Sequence, residues 1–182
     1  ATAKYGTEKT NPNINIQGID ENGLNSQGLE LALGRNFNLA EIQSGNNICI
    51  IGHEISEKLF KKESPIDKVI NVGNSRLKVV GVLVSKGQSM GFSGDRSVYV
   101  PLLKAKLINS NANPSYTITV MVPNNDIMDN VIGESTALFR NIRKVKVGAT
   151  NNFEITKSDA IAQTLFENLK FVANGGVANG SI

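Results

Sequence analysis

Apolar residues are densest near the middle of the chain, where residues 76–89 read RLKVVGVLVSKGQS. Its apolar part, 77–84, is too short to span a membrane and too rich in valine for an ordinary helix, so it predicts a buried strand that is followed by a glycine-rich loop at 86–93. Gly81, inside the run, indicates a bulge or a close approach of two backbones. The preceding run, 69–73, is separated from it by Gly73-Asn74-Ser75, which is typical of a hairpin turn. A further strand is predicted at 97–100, before Pro101.

Strict alternation of apolar and polar residues predicts strands elsewhere in the chain. Residues 1–5 and 13–19 alternate and are separated by turn-forming residues, so they are expected to form a hairpin with Ile14, Ile16 and Ile19 facing the core. The other predicted strands are 47–51, 115–122, which alternates most regularly, and the short segment 152–155.

Helical spacing of apolar residues predicts three helices. The clearest covers 126–145, a shorter one covers 53–62, and a last one begins at Ser158, which is a good N-cap. The remaining segments are expected to be less regular: a loop with a short helical piece at 21–33 ended by Gly34, a turn at 38–42, and a helical or irregular crossover at 104–113.

Composition places the chain among globular α+β proteins. It has 182 residues, 40 % of them hydrophobic, which is enough for a packed core. The net charge of +3 is too small to indicate nucleic-acid or membrane-surface binding. No apolar run reaches the ~20 residues that a membrane-spanning helix needs. The single cysteine, Cys49, lies in the apolar run 47–51 and is expected to be a buried apolar residue.

Candidate chemistry is sparse. His53 is the only histidine, so a histidine-rich metal site is excluded. A hydrolase that uses Cys49 as nucleophile beside His53 would need a geometry that the sequence does not support. The glycine-rich stretch 87–95 lacks the phosphate-binding motif G-x-x-x-x-G-K-[ST]. A basic cluster follows the long helix and is interpreted as a solvated helix end; it consists of Arg140, Arg143, Lys144 and Lys146. We expect no catalytic residue, no cofactor and no metal.

The loop between the central strands offers one candidate contact site. Met90 and Phe92 are apolar residues in a glycine-rich loop, and with Gln88 they are candidate residues for contact with a partner. A plain hairpin loop with its aromatic side chain folded back is an equally open interpretation.

A set of short motifs follows one order along the chain. The motifs are LGRNF at 33–37, IIG at 50–52, LF at 59–60, SPIDK at 64–68, INV at 70–72, LKVVGVL at 77–83, KGQS at 86–89 and VYVPL at 98–102. Together they resemble the periplasmic core domain of MacB-type ABC transporter permeases, a family that includes lipoprotein-releasing and FtsX-like members. The family commonly has a glycine in place of Asp67, so the turn there is expected to differ.

The resemblance implies two subdomains in an extracytoplasmic domain. A β-α-β, Porter-like subdomain would consist of 1–20 and 106–157, with its first part missing ahead of Ala1. A small mixed α/β, Sabre-like subdomain, 21–105, would be inserted in it. Residues 158–172 would form a stalk helix towards a transmembrane segment, and 173–182 a flexible tail.

The resemblance also implies a function without catalysis. The domain would lie on the periplasmic side of the bacterial inner membrane, anchored by the protein's own transmembrane helices. It would transmit motion driven by ATP hydrolysis in a separate cytoplasmic domain or subunit and would contact substrate or a periplasmic adaptor during export. The full transporter is expected to be a dimer, with no nucleic-acid partner.

Two other interpretations stay open from the sequence. One is a free-standing ligand-binding or adhesion domain with no permease attached. The other is a small cysteine hydrolase that uses Cys49 and His53.

Overall fold

The structure is a computed structural model that describes residues 1–85, 94–109 and 115–157. Backbone contacts divide the chain into two compact units, Ala1–Val120 and Met121–Ile182. Among the described residues, no helix has the length and apolar character needed to cross a membrane.

The first unit is built on a mixed sheet of eight strands, counted over the described residues. The strands are β1 Ala3–Tyr5, β2 Glu8–Lys9, β3 Asn15–Ile19, β4 Leu31–Gly34, β5 Ile48–Ile51, β6 Val69–Val72, β7 Ser75–Leu83 and β8 Ser97–Pro101. Seven of them follow the order β2-β1-β6-β7-β5-β8-β3, and β4 pairs with β7 beside this path. The β5–β7 and β3–β8 pairs are parallel and the others antiparallel.

In the described part of the first unit, four α-helices accompany these strands: α1 Gly23–Ser26, α2 Leu39–Ser44, α3 His53–Phe60 and α4 Leu102–Ile108. The predicted strands at 47–51, 69–73, 77–84 and 97–100, the helix after Gly52 and a helical crossover near 104 are confirmed, with ends shifted by a few residues.

The centre of the sheet is buried on both faces. Cys49 and Ile51 of β5 belong to one apolar cluster, and Ile48 and Ile50 belong to the other. In β8, Val98 lies in the first cluster, and the next residue, Tyr99, lies in the second. Because successive side chains of a strand point to opposite faces, both faces of the sheet carry core. All four residues of β5 are buried, so this strand is fixed from both sides.

The bulge predicted at Gly81 is present. The register of β5 against β7 shifts between Cys49 and Ile50, which pair with Val79 and Gly81. A Cβ at position 81 would lie 2.8 Å from the carbonyl oxygen of Arg35. The absence of a side chain therefore allows the backbone after β4 to approach β7 closely.

The predicted hairpin of 1–5 with 13–19 is wrong. Strand β1 pairs with β2 and β6, while β3 pairs in parallel with β8. The physical reason is the turn at Gly6, whose φ of +55° lets the chain reverse directly after β1. The predicted core positions are confirmed, because Ile14 and Ile19 are buried and Ile16 packs against the core.

Two local predictions between β3 and β5 also need correction. Gly34 has the expected positive φ, +78°, but it ends strand β4, not a helical segment. The expected turn at 38–42 is the start of helix α2, because Asn38 and Glu41 form a capping box. In that motif each side chain binds the other's backbone amide, which stabilises a helix where apolar periodicity is weak.

Asp67, where the resemblance leads us to expect a glycine, has a positive φ. Its φ is +65°, in the left-handed region that glycine favours, and its amide donates a hydrogen bond to the carbonyl of Val79 at 2.9 Å. Aspartate tolerates this conformation better than most residues. The turn therefore has a glycine-type backbone although it carries a side chain.

The strands predicted at 115–122 and 152–155 are wrong, because the structure has no regular element at either place. Ile118 and Val120 are 69 % and 60 % exposed. An alternating pattern favours a strand only when a neighbouring edge supplies hydrogen bonds, and among the described residues neither segment has one.

The described part of the second unit centres on helix α5, Met128–Ile142, which follows a short 3₁₀ turn, Asn125–Ile127. The prediction of a helix at 126–145 is confirmed. The predicted helix at 158–172 and the tail at 173–182 lie outside the described residues.

The predicted grouping of 1–20 with 106–157 stays a prediction. In the described structure, strands β1 and β3 of residues 1–20 are hydrogen-bonded to β6 and β8 of residues 21–105.

Candidate functional site

The candidate contact residues Gln88, Met90 and Phe92 lie outside the described residues, but both attachment points of their loop are described. On one side, the amide of Val84 donates a hydrogen bond to the carbonyl of Glu30 at 2.9 Å. On the other, the 3₁₀ turn Gly94–Arg96 leads directly into β8. The loop therefore starts and ends on ordered backbone.

The turn at Gly94 is packed closely against the start of helix α3. A Cβ at Gly52, the N-cap residue of α3, would overlap the carbonyl oxygens of Gly94 and Asp95. Next to this contact, Arg96 Nε donates a hydrogen bond to Glu54 Oε2 at 2.6 Å, and this ion pair raises the pKa of Arg96. Backbone contact and ion pair together fix the base of the candidate contact loop.

The hydrolase interpretation finds no support in the geometry. Cys49 is fully buried in the sheet, and desolvation raises the pKa of its thiol well above the usual range, so the thiolate needed for attack is disfavoured. The His53 ring lies on the surface, with Nε2 3.3 Å from Glu57 Oε1 one helical turn along α3. Among the described residues, no three or more histidine, cysteine or acidic side chains form a group that could hold a metal ion.

A surface depression of about 510 Å³ lies beside α3. Leu33, Val82 and Pro65 are among its apolar lining residues, and His53 and Lys61 are among its polar ones. Leu33 is 51 % exposed at this place. The depression contains His53 but not Cys49, so it does not bring the two hydrolase candidates together.

The basic cluster after α5 is not simply a solvated helix end. Arg140 and Arg143 donate hydrogen bonds to residues 146–152, so two of the four cations hold the chain that follows the helix. Sequence reasoning missed this role, because the acceptors are backbone carbonyls and asparagine side chains that leave no charge pattern.

The fold has solved counterparts in transport proteins. The extracellular domain of the noncanonic ABC-type transporter YknZ from Gram-positive bacteria matches with a TM-score of 0.64 and 29 % identity, over 80 % of this chain and 72 % of that one. The periplasmic region of MacB from Actinobacillus actinomycetemcomitans also has a TM-score of 0.64. It is 20 % identical, and the match covers 90 % of this chain and 70 % of that one. At that identity the second match shows the fold alone.

Curated relatives point the same way. The macrolide export ATP-binding/permease protein MacB of Shewanella sp. (strain W3-18-1) is 26 % identical over 168 residues, covering 90 % of this chain and 24 % of the relative. The ABC transporter permease YknZ of Bacillus subtilis (strain 168) is 29 % identical over 99 residues, covering 54 % and 24 %. The chain thus spans about a quarter of the length of these relatives.

Fold and relatives define the class as the extracytoplasmic domain of an ABC transporter permease. Residues 1–138 match the MacB-like periplasmic core domain, and the chain belongs to that family. The match confirms the resemblance drawn from the motifs, and the mixed sheet with its helices agrees with the expected α+β class.

Proposed function

We propose that this domain transmits motion between the membrane part of its transporter and the compounds or proteins outside the cytoplasm. ATP hydrolysis in a separate cytoplasmic domain or subunit drives the motion, and the protein's own transmembrane helices anchor the domain. The observation that carries the proposal is the match of residues 1–138 to the MacB-like periplasmic core domain.

The packing of the first unit supports a mechanical role. Its central strands are buried on both faces, and protein interiors packed in this way resist deformation. A stiff body passes a displacement on, whereas a loosely packed one absorbs it. The segment with Gln88, Met90 and Phe92 is joined to the described residues at Ser85 and Gly94, and we assign contact with substrate or a periplasmic adaptor to it.

The wider assembly belongs to the same proposal. The domain works as part of a dimer, with 1–20 and 106–157 as the Porter-like subdomain, 21–105 as the Sabre-like one, and 158–172 as the stalk. Because the MacB relatives are named for macrolide export, a macrolide is the first compound to assay.

An inserted flexible segment tests the transmission. Eight glycine and serine residues placed between Lys157 and Ser158 of the full-length permease would form a coil with an end-to-end distance of about 15 Å. The matched control carries the same insert between Gly73 and Asn74, in an exposed hairpin turn. We expect the first insert to reduce macrolide efflux per ATP hydrolysed several-fold and the second to leave it unchanged. Unchanged efflux with both inserts would overturn the proposal.

A further inference from the structure

The chain after helix α5 turns back and follows the helix towards its start. Lys144 and Gly148 have φ values of +53° and +82°, which reverse the chain within a few residues of the helix end. The amide of Ala149 donates a hydrogen bond to the carbonyl of Lys146 at 3.1 Å, which closes this turn. Residues 149–157 then form an irregular return segment without helix or strand.

Contacts tie this return segment to α5 from one end of the helix to the other. Near the C-terminal end, Arg143 donates a hydrogen bond to the carbonyl of Asn152 at 2.8 Å. In the last turn of the helix, the rings of Phe139 and Phe153 lie with centroids 5.3 Å apart. At the N-terminal end, Lys157 Nζ lies 2.7 Å from Asp129 Oδ1.

The lengths agree with an extended return. Helix residues 129 to 143 span about 21 Å at the usual rise of about 1.5 Å per residue. Residues 152 to 157 reach at most about 18 Å when extended. The side chains of Asp129, Lys157 and Arg143 easily cover the remaining distance, so the contacts at both ends fit an extended return segment.

Arg140 is the centre of the arrangement. Its Nη1 donates to the carbonyl of Ala149 at 2.9 Å and to Oδ1 of Asn151 at 2.6 Å, and its Nη2 donates to the carbonyl of Lys146 at 2.8 Å. One planar guanidinium thus binds three acceptors on both sides of the turn. Lysine has the same charge but lacks this fork of donors.

We propose that Arg140 and Arg143 act as a clasp that makes residues 128–157 one mechanical body. The inference rests on the proposed function: a displacement that arrives at Lys157 passes to helix α5 and is not absorbed by the irregular return segment. Arg140 and Arg143 are positioning residues in this mechanism and contact no transported compound.

Paired spin labels in the full-length permease test the clasp. The labels are placed on cysteines at Glu134, in α5, and Glu154, in the return segment; both positions are exposed. Cys49 is fully buried and is left in place, and reactive cysteines elsewhere in the parent protein are replaced. We expect one narrow distance distribution in the otherwise unchanged protein.

Two variants separate geometry from charge. The double variant Arg140→Lys, Arg143→Lys keeps both charges, and we expect it to broaden the distribution about twofold because the return segment is released. Lys144→Gln removes a charge from the same helix end, and its side chain has no hydrogen bond or ion pair to a described residue, so we expect no broadening. An unchanged distribution in the double variant would overturn the clasp.

Efflux measurements distinguish this inference from the proposed function. A broadened distribution with less macrolide efflux per ATP supports transmission through the clasp. A broadened distribution with unchanged efflux contradicts it. If the insert after Lys157 still uncouples efflux in that case, only the clasp is wrong; if it does not, the proposed function is wrong as well.

Discussion

Gly52 and Gly94 lie so close that a Cβ on Gly52 would overlap the carbonyl oxygen of Gly94. This contact joins the N-terminus of α3 to the turn that leads into β8. It also lies at the base of the candidate contact loop.

Gly52→Ala is therefore expected to destabilise the domain. The φ of Gly52 is −69°, which alanine adopts without strain, so the cost arises from steric overlap with backbone that cannot move aside easily. We expect a loss of about 1–3 kcal/mol in the free energy of unfolding, measured by urea denaturation. Gly133→Ala is the control, because a Cβ there has no neighbour within 4 Å and alanine favours a helix interior. Equal stability of the Gly52 variant and the unchanged domain would contradict the close contact.

Asp67→Gly is expected to stabilise the domain or leave it unchanged. Its φ of +65° costs aspartate energy that glycine does not lose, while glycine is more flexible in the unfolded chain. The side chain also forms an exposed ion pair with Lys78 at 3.3 Å, whose contribution is small. We expect Asp67→Gly to raise the free energy of unfolding by between zero and about 1 kcal/mol, measured by urea denaturation. Asp67→Val should lower the same free energy by at least about 1 kcal/mol. A clear loss with glycine would show that the side chain, and not the backbone, determines this turn.

Cys49 is expected to make stability fall at alkaline pH. Burial raises the pKa of the folded thiol above its usual value of 9.0, so above that pH the unfolded chain loses a proton that the folded protein keeps. The contribution of the protonated Cys49 thiol to the free energy of unfolding is complete below pH 9.0. Above that pH it decreases by up to about 1.4 kcal/mol per pH unit.

The comparison of Cys49→Ala with the unchanged chain isolates this effect. Tyr99, whose pKa burial also raises, is common to both proteins and cancels in the comparison. Stability curves measured from pH 7 to 11 should be steeper for the unchanged chain above pH 9.0. Parallel curves would mean that the thiol is accessible to water.

The sequence predicted the centre of the sheet because the central strands are buried on both faces. Residues such as Val79 and Ile50 are apolar because they are buried, whichever strands pair with them. Strands β5, β7 and β8 can therefore be recognised in the sequence as continuous apolar runs. Pairing was harder to predict. The turn at Gly6 and the parallel pairing of β3 with β8 depend on contacts distant in sequence, which an alternating pattern does not encode.

The hydrogen bonds that Arg140 and Arg143 donate to the chain after α5 could not be predicted from the sequence either. Arg140 and Arg143 were evident as cations at a helix end, where the helix dipole explains them. Their acceptors are carbonyls of residues 146–152, and backbone carbonyls are present in every sequence. Only the reversal at Gly148 could have indicated that the chain returns along the helix.

The central claim, that this domain lies outside the cytoplasm as part of a membrane transporter, is tested most directly by labelling in intact cells. Asn74 is exposed in the hairpin turn between β6 and β7, and the buried Cys49 does not compete for the reagent. The account predicts that the full-length Asn74→Cys protein reacts with a membrane-impermeant maleimide in cells whose inner membrane is intact. Reaction only after the inner membrane is broken would contradict it.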